Sequence, residues 1–386
     1  MRKTFSFKLY NSKKNKLLHE RINAAASIYN HCIALHKIYF KIYGKYLNRY
    51  QLQKHITKLK KTPRYTSWRI VPSQAIQDIT DRIERAYQLF FAHAKNGRIK
   101  PPTFRKRVKY ASITLKQAGY KVLDGNKIKI GKENFKYFKS RETEGAIKTL
   151  TIKRDALGDI YLFFSCEIKN ISPCRIMTGK IAGFDFGLKT FLTSSDGTKI
   201  EAPLFFKENS KKIKKASRKV STKKRGSNNR KKAKMHLARC HKKIAHQRKD
   251  YHVKLAQKLT QEQDHLFFED LSINGMQRIW GRKIGDLGFS NFLSLVEYHG
   301  QCNGSQVHII DKFYPSSKTC HVCQKIFKEL SLNDRTWRCS GCRTLHDRDI
   351  NAAINIKIVG ASTIGLGDVR PTQIGYRCLN PESNAF

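Results

Sequence analysis

The stretch KTCHVCQKIFKELSLNDRTWRCSGCRTLHDRDINAAINI, residues 318–356, joins two Cys-x-x-Cys pairs to an acidic cluster that opens an apolar helix. The pairs are 15 residues apart, which is the spacing of a structural zinc site. Each pair turns two thiolates towards one tetrahedral ion, so no coordination position is left and the one zinc ion is expected to be structural. We expect His321 and His346 to be surface residues, since no further ligand is needed. The four predicted ligands are Cys320, Cys323, Cys339 and Cys342.

The rest of the chain is strongly basic. Its 386 residues include 77 Lys and Arg against 29 Asp and Glu, a net charge of +48. Such a charge is unusual for a metabolic enzyme and favours a polyanionic partner, most often nucleic acid. A membrane surface is disfavoured because no basic amphipathic anchor adjoins an apolar span. We expect a cytoplasmic, nucleoid-associated protein of a bacterium or archaeon without membrane spans.

The hydrophobic periodicity changes twice along the first half of the chain. Residues 4–9 alternate as in a strand, and residues 12–45 show helical spacing. A second helix is predicted to start at Ser73, acting as N-cap after Pro72, and to end near Asn96-Gly97. From 103 to 170 a period of two predicts a small antiparallel barrel. The strand at 4–9 could join this barrel, which would make the helices an insertion.

Residues 207–249 form the most basic segment, with nineteen Lys or Arg and one acid, Glu208. A solvated helix normally mixes charge signs to gain i,i+4 pairs, so one sign alone favours contact with nucleic acid. An apolar stripe from about residue 235 predicts a long helix with a basic outer face. The residues predicted to contact a nucleic-acid backbone are Lys223, Lys224, Arg225, Arg230, Lys231, Lys232 and Arg239.

Acidic residues occupy strongly patterned positions in this basic chain. Asp185 lies in a predicted strand and shares a face with Gly183 and Gly187. Two positions without side chains are expected to leave room for a metal ion and a phosphate backbone. An edge-strand Asp without a metal is the equally simple alternative.

Two further acidic pairs follow in the sequence. Glu269 and Asp270 end the apolar strand 265–271, and Asp347 and Asp349 open the helix of the first quoted stretch. Asp347 could serve only as N-cap, with Asp349 in the first turn. A strand Asp, a strand-end Glu and a helix Asp, in that order, match an RNase H-like layout in which three carboxylates converge on two Mg²⁺ ions. Spacing alone leaves open which acid of each pair is the ligand.

Five motifs resemble one family. GFDFGLK, FFEDLSINGM, YPSSKTCHVC, WRCSGC and HDRDINAAINI are similar to segments of the TnpB (OrfB) family of transposon-encoded, RNA-guided DNA endonucleases, relatives of the type V CRISPR effectors. The resemblance extends to about residue 372. It implies that the nuclease carboxylates are Asp185, Glu269 and Asp349, which favours Glu269 over Asp270 and Asp349 over Asp347.

The resemblance also implies an α/β multidomain architecture. An N-terminal β-barrel (wedge) would carry an inserted helical recognition domain, and an RNase H-like (RuvC) nuclease domain would carry an inserted zinc ribbon. The expected boundaries are 1–10 and 103–175 for the wedge, 11–102 for the recognition domain, 176–315 and 345–370 for the nuclease domain, 316–344 for the zinc ribbon and 371–386 for a flexible tail.

The implied function is Mg²⁺-dependent cleavage of double-stranded DNA, directed by a guide RNA from the transposon right end. The protein itself would read a short motif beside the target. Ser73, Gln74 and Gln77 are candidates because Gln can pair with adenine edges in the major groove, although an exposed polar helix face explains them equally well. The alternatives are an RNA-guided DNA-binding regulator, a transposase that joins DNA ends without RNA, and a compact type V CRISPR effector.

Overall fold

The structure is a computed structural model that describes residues 2–93, 99–168, 175–331, 334–366 and 375–377. The chain divides into two compact units, residues 1–171 and 172–386. None of the helices in the described ranges is long and apolar enough to cross a membrane.

Two antiparallel sheets and three long helices make up the first unit. The sheets have the strand orders β1-β7-β6-β2 and β3-β4-β5. A 3-10 helix at Pro63–Ile70 lies between the second and third α-helices. The strands are β1 (Arg2–Lys8), β2 (Ser112–Leu115), β3 (Tyr120–Val122), β4 (Lys127–Ile130), β5 (Glu133–Lys136), β6 (Ala146–Arg154) and β7 (Ile160–Glu167), and the helices are α1 (Asn15–Tyr43), α2 (Arg49–Leu59) and α3 (Ser73–Ala92).

The alternation of the first strand has a direct structural consequence. Phe5 and Phe7 of β1 are buried, and the Phe7 ring lies 5.7 Å from that of Phe164 on β7. Because β1 pairs with β7 along its whole length, the three helices are inserted between two strands of one sheet. The predicted strand at 4–9 and its pairing with the later strands are confirmed.

Three expectations for this unit need adjustment. Helix α3 begins at Ser73, but Pro72 is its N-cap, because Ser73 already has helical geometry. The predicted helix end at Asn96-Gly97 lies outside the described residues, and the described helix ends at Ala92. The described strands form two sheets, connected by an antiparallel bridge between Leu9 and Tyr137.

A five-stranded mixed sheet organises the second unit, with the strand order β11-β10-β9-β12-β13. Two further two-stranded sheets pair β14 with β15 and β8 with β16. The strands are β8 (Arg175–Met177), β9 (Ile181–Phe186), β10 (Thr190–Ser194), β11 (Lys199–Glu201), β12 (His265–Glu269), β13 (Gln306–Ile310), β14 (Thr336–Arg338), β15 (Leu345–Asp347) and β16 (Gly375–Arg377), and the helices are α4 (Phe205–Glu208), α5 (Ser210–Ser221), α6 (Asn228–Glu262), α7 (Ile273–Leu287), α8 (Phe289–Asn303) and α9 (Arg348–Thr363).

The central sheet combines antiparallel and parallel pairing. Strands β9, β10 and β11 form an antiparallel meander, whereas β12 pairs in parallel with both β9 and β13. The β12 segment His265–Phe268 is buried, as expected for a strand covered on both faces. A phenylalanine cluster of Phe184, Phe191, Phe268 and Phe292 lies in the core between the sheet and the α7–α8 layer.

Most of the basic segment folds as the two helices α5 and α6. The sequence predicted a single helix that begins near residue 235. Helix α5 buries Ile213 and Ala216, an apolar pair too short to stand out among the lysines. Helix α6 starts at Asn228 because Ser227 caps it by accepting a hydrogen bond from the Arg230 N–H at 3.2 Å. The predicted flexible tail, 371–386, is described only at Gly375–Arg377, where it forms β16 beside β8.

Candidate metal centres

Strand register brings two of the predicted carboxylates together. In the parallel pair of β9 and β12, Phe184 lies opposite Phe268. One residue further along both strands are Asp185 and Glu269, which therefore occupy neighbouring positions on adjacent strands, whose backbones typically lie about 4.8 Å apart. Both residues are at the carboxyl ends of parallel strands, where open α/β sheets place their functional groups.

Helix α9 brings in the third carboxylate. Its backbone passes directly over β9. A Cβ added to Gly183 would lie 2.5 Å from the Lys357 nitrogen and closer still to the Ala353 carbonyl oxygen, which shows how close the two backbones are. Asp349 lies one turn before Ala353 on the same helical face, and its negative charge acts on Asp185. The expected cap is confirmed: the Asp347 side chain accepts hydrogen bonds from the backbone N–H groups of Asp349 and Ile350.

The expected role of the two glycines is wrong. Gly183 does not leave room for a metal ion or a phosphate, since the backbone of α9 occupies the space over it. A Cβ on Gly187 would lie 2.6 Å from the Thr190 carbonyl oxygen, so this glycine permits the tight turn into β10. A face without side chains in one strand was equally compatible with close packing of another backbone.

The three carboxylates influence one another electrostatically. Burial raises the pKa of Asp185 well above its ordinary value, and the negative charges of Asp349 and Glu269 raise it further. Burial also raises the pKa of Glu269, partly offset by a hydrogen bond from Ser316. A divalent cation at this position would relieve both the burial of charge and the mutual repulsion.

The carboxylates are less tightly gathered than the cysteines. Within the described ranges, one group of at least three ligand side chains is close enough to hold a single ion, and it consists of the four cysteines. A two-ion site has its metals about 4 Å apart, so its ligands spread over a wider space. The Arg335 Nη1 lies 3.5 Å from Asp349 Oδ1, which places a cation from the zinc-ribbon segment beside this acid.

All four predicted zinc ligands converge. Their sulfur atoms lie within 4.8 Å of one another, with Sγ–Sγ distances of 3.6 Å for Cys320–Cys342 and 3.5 Å for Cys323–Cys339. Tetrahedral zinc with bonds of about 2.3 Å requires sulfurs about 3.8 Å apart, so the set fits this ion. Hydrogen bonds from Thr344 lower the pKa of Cys342 to about 6, and those from backbone N–H groups lower that of Cys339.

The expectation that both histidines are surface residues is wrong. His346 is 2% exposed, and its Nε2 lies 3.1 Å from the Cys320 sulfur. The half-buried His321 packs edge-on against the His346 ring, 4.8 Å away. His346 belongs to β15, which extends to Asp347 and so passes the ribbon boundary expected at 344. Cysteine spacing identifies the ligands but cannot reveal a histidine that packs behind them.

Sequence reasoning missed two asparagines between the two centres. Asn351 and Asn355, one turn apart on α9, are 1% and 0% exposed. Their Nδ2 atoms donate to the Thr319 carbonyl at 2.7 and 2.6 Å and to the Ser316 carbonyl at 3.4 and 2.8 Å. The available signal was the i,i+4 repeat of Asn within an otherwise apolar helix face.

The three candidates for motif reading are only partly brought together. Ser73 and Gln77 line a cleft of about 480 Å³ in the first unit. Gln74 is half-buried and does not line this cleft. The other residues that line the cleft are polar or basic apart from Ile76, and they are Gln53, Thr57, Lys60, Lys61 and Arg69.

The predicted backbone-contacting residues lie at the tip of the α5–α6 hairpin and on α6. Arg230 is half-buried and donates from Nη1 to the Lys223 carbonyl at 2.9 Å. The exposed members are Lys223, Lys224, Arg225, Lys231, Lys232 and Arg239. An additional basic face on α5, here called the α5 face, was not singled out from sequence and consists of the exposed residues Lys211, Lys214, Lys215, Arg218 and Lys219.

Comparisons with known proteins agree with this geometry. A family profile described as a probable transposase, OrfB_IS605, matches residues 163–280. A second, described as the Cas12f1-like TNB domain, matches residues 289–356. A Streptomyces pristinaespiralis protein named as an RNA-guided DNA endonuclease is 31% identical over 330 residues, covering 83% of this chain and 80% of the relative. The chain belongs to the TnpB (OrfB) family of RNA-guided DNA endonucleases.

Other relatives fit the TnpB assignment. The Escherichia coli K12 protein InsQ, also named as an RNA-guided DNA endonuclease, is 27% identical over 316 residues, covering 77% of each chain. The fold is similar to Cas12f1 in a cryo-EM structure of its complex with guide RNA and target DNA. That similarity has a TM-score of 0.60 at 13% identity and covers 92% of this chain and 98% of the other.

Proposed function

We propose that this TnpB-family chain is a Mg²⁺-dependent nuclease that cuts double-stranded DNA under the direction of a guide RNA from the transposon right end. The observation that supports the proposal is that Asp185 on β9 lies beside Glu269 on the neighbouring strand β12, and that the charges of Glu269 and of Asp349 on α9 both raise its pKa. The mixed sheet of the second unit, with a β9–β11 meander and β12 parallel to β9, supports an RNase H-like (RuvC) domain.

The donor set fits a hard divalent cation. Three carboxylates are the ligands that Mg²⁺ prefers, and a bound cation would offset the burial that raises the pKa of Asp185 and Glu269. When bound, two Mg²⁺ ions would supply activation of the attacking water and stabilisation of the leaving oxygen. The protein holds the ligands on rigid elements: β9 and β12 orient Asp185 and Glu269, and α9 orients Asp349.

The chain's cations are proposed to hold the nucleic acid while the acids hold the metals. The α5 face and the exposed predicted residues Lys223, Lys224, Arg225, Lys231, Lys232 and Arg239 would bind guide or target phosphates. Ser73 and Gln77 in their cleft, with Gln74 nearby, are proposed to read the motif beside the target. The four cysteines are proposed to bind one structural zinc ion that holds the ribbon together.

The first experiment is to express the protein with its native flanking DNA, purify it and sequence any bound RNA. One abundant RNA that extends from the element's end supports the proposal and supplies the guide for a cleavage assay with Mg²⁺. Random cellular RNA, or none, would contradict it and favour an unguided DNA-processing enzyme.

The second experiment separates a nuclease from an RNA-guided regulator. Asp185→Ala is expected to abolish cutting while RNA-dependent DNA binding is retained, since the carboxylate contacts metal and not the guide. Cleavage at the wild-type rate would show that Asp185 has no role in catalysis.

A further inference from the structure

A short loop connects the zinc ribbon to a metal ligand of the proposed nuclease site. Residues 315–320, here called the entry loop, lead from the sheet to the first zinc ligand, Cys320. Within this loop the Ser316 hydroxyl donates to Glu269 Oε2 at 3.4 Å. Ser316 is 5% exposed and Glu269 is half-buried, so the hydrogen bond is partly shielded from water.

Helix α9 holds this loop from the other side. The amides of Asn351 and Asn355 both donate to the carbonyls of Ser316 and Thr319, so that four hydrogen bonds fall on two loop carbonyls. Asn351 Oδ1 also accepts from the backbone N–H of His321, directly after Cys320. The four bonds to the loop carbonyls are buried, and a buried hydrogen bond is costly to break because its groups would be left unpaired.

The same helix carries Asp349 two residues before Asn351. The hydrogen bonds of Asn351 and Asn355 therefore join two parts of the molecule to α9. They hold the zinc ribbon through Thr319 and His321, and the Glu269 carboxylate through Ser316. The third carboxylate, Asp349, belongs to α9 itself. Neither the capping of a helix nor the packing of the core would require the Ser316 hydroxyl to point at Glu269.

We propose that Ser316 is a positioning residue for the metal ligand Glu269, and that Asn351 and Asn355 hold Ser316 in place by tying the entry loop of the zinc ribbon to α9. The inference rests on the proposed function, since it assigns a partner to one of that site's ligands. Hydrogen bonds to metal ligands from outside the coordination shell fix their orientation, and their loss typically weakens metal binding about 10–100-fold.

The test measures metal binding directly, by Mn²⁺ titration followed by electron paramagnetic resonance on the full chain assembled with its RNA. Ser316→Ala is expected to weaken Mn²⁺ binding about tenfold, and Ser316→Thr, which keeps the hydroxyl, should restore it. The matched control is Ser317→Ala, the same substitution at the neighbouring, half-buried serine. The hydrogen bond to Glu269 comes from Ser316, so this variant should leave Mn²⁺ affinity unchanged.

Equal Mn²⁺ affinity in wild type and Ser316→Ala would overturn the inference, as would an equal loss in Ser317→Ala. A wild-type protein that binds no Mn²⁺ and cuts no DNA would overturn the proposed function as well, so the two failures are distinguishable.

A double-mutant cycle tests the connection to the ribbon. Cys323→Ser, which removes one predicted zinc ligand, should also weaken Mn²⁺ binding if the ribbon acts on Glu269 through the loop. Combined with Ser316→Ala, the two losses should be less than additive, because both act through one path. Additive losses would show that the ribbon does not act through Ser316.

Discussion

At the scale of single residues, Asp185 shows a conflict between stability and function. Its pKa is raised in the folded chain by burial and by Asp349 and Glu269, so the folded state binds the proton more tightly than the unfolded state. The stability that the protonated Asp185 carboxyl contributes is fully present below its pKa in the unfolded state. It is lost as the pH rises through its pKa in the folded state. Asp185→Asn should therefore raise the metal-free Tm near neutral pH, by about 2–4 °C, while it abolishes cleavage.

Thermal unfolding with and without Mg²⁺ checks this prediction. Mg²⁺ should raise the Tm of the wild type and leave that of Asp185→Asn nearly unchanged, because binding to the folded state alone is stabilising.

Asp196 is the matched control. Burial tends to raise its pKa, but hydrogen bonds from Thr198 outweigh burial and lower it. Asp196→Asn should lower the Tm slightly and leave cleavage intact; a lower metal-free Tm in Asp185→Asn would contradict the argument.

At the scale of elements, the close approach of α9 to β9 places Asp349. An added methyl group on Gly183 meets backbone atoms of α9, at 2.5 Å from the Lys357 nitrogen, so the helix must shift. Gly183→Ala should lower the free energy of unfolding by about 1–3 kcal/mol and reduce cleavage, since Asp349 moves with α9. Denaturant unfolding and a cleavage assay measure the two effects.

Gly285 is the matched control for this substitution. It lies in α7 and has no atom within 4 Å of its added Cβ. Gly285→Ala should be neutral or stabilise by about 0.5–1 kcal/mol, because Ala loses less chain entropy in a helix. A Gly183→Ala variant with wild-type stability and cleavage would show that α9 can move without consequence.

At the scale of the whole molecule, the net charge of +48 predicts RNA binding that weakens steeply with salt. The α5 face offers exposed cations, and Lys214, Lys215 and Arg218 lie on it within two turns. Replacing these three by Ala should reduce the slope of log K against log salt by about 2–3 if each contacts a phosphate. Filter-binding titrations with the co-purified RNA at several salt concentrations give this slope.

Lys254 and Lys258 on α6 provide the control; their double variant removes two charges against three on the α5 face, so the changes in slope are compared per removed charge. They already pair with Asp250 at 2.8 Å and Glu262 at 3.9 Å, so they have little charge to offer to RNA. The double Ala variant should leave the salt slope close to wild type. An equal decrease in both sets would mean that only total charge matters and that the α5 face is not a contact surface.

The periodic elements and the candidate metal ligands could be predicted from the sequence. Strand β1 was predicted from its alternation, and the start of α3 at Ser73 from the serine that follows Pro72. Cysteine spacing indicated the zinc ligands because the Cys-x-x-Cys loop is a local structure. The choice of Glu269 over Asp270 came from family motifs, since neighbouring acids cannot be distinguished by periodicity.

What the sequence by itself determined is therefore local: which segments are helix or strand, which cysteines converge and which charges dominate. Only the tertiary structure decided that the glycine face of β9 is covered by α9, that His346 packs behind a zinc ligand, and that Asn351 and Asn355 clamp the entry loop. These depend on contacts between residues far apart in the chain. A bare strand position or a polar helix position has the same local pattern whichever distant backbone packs against it.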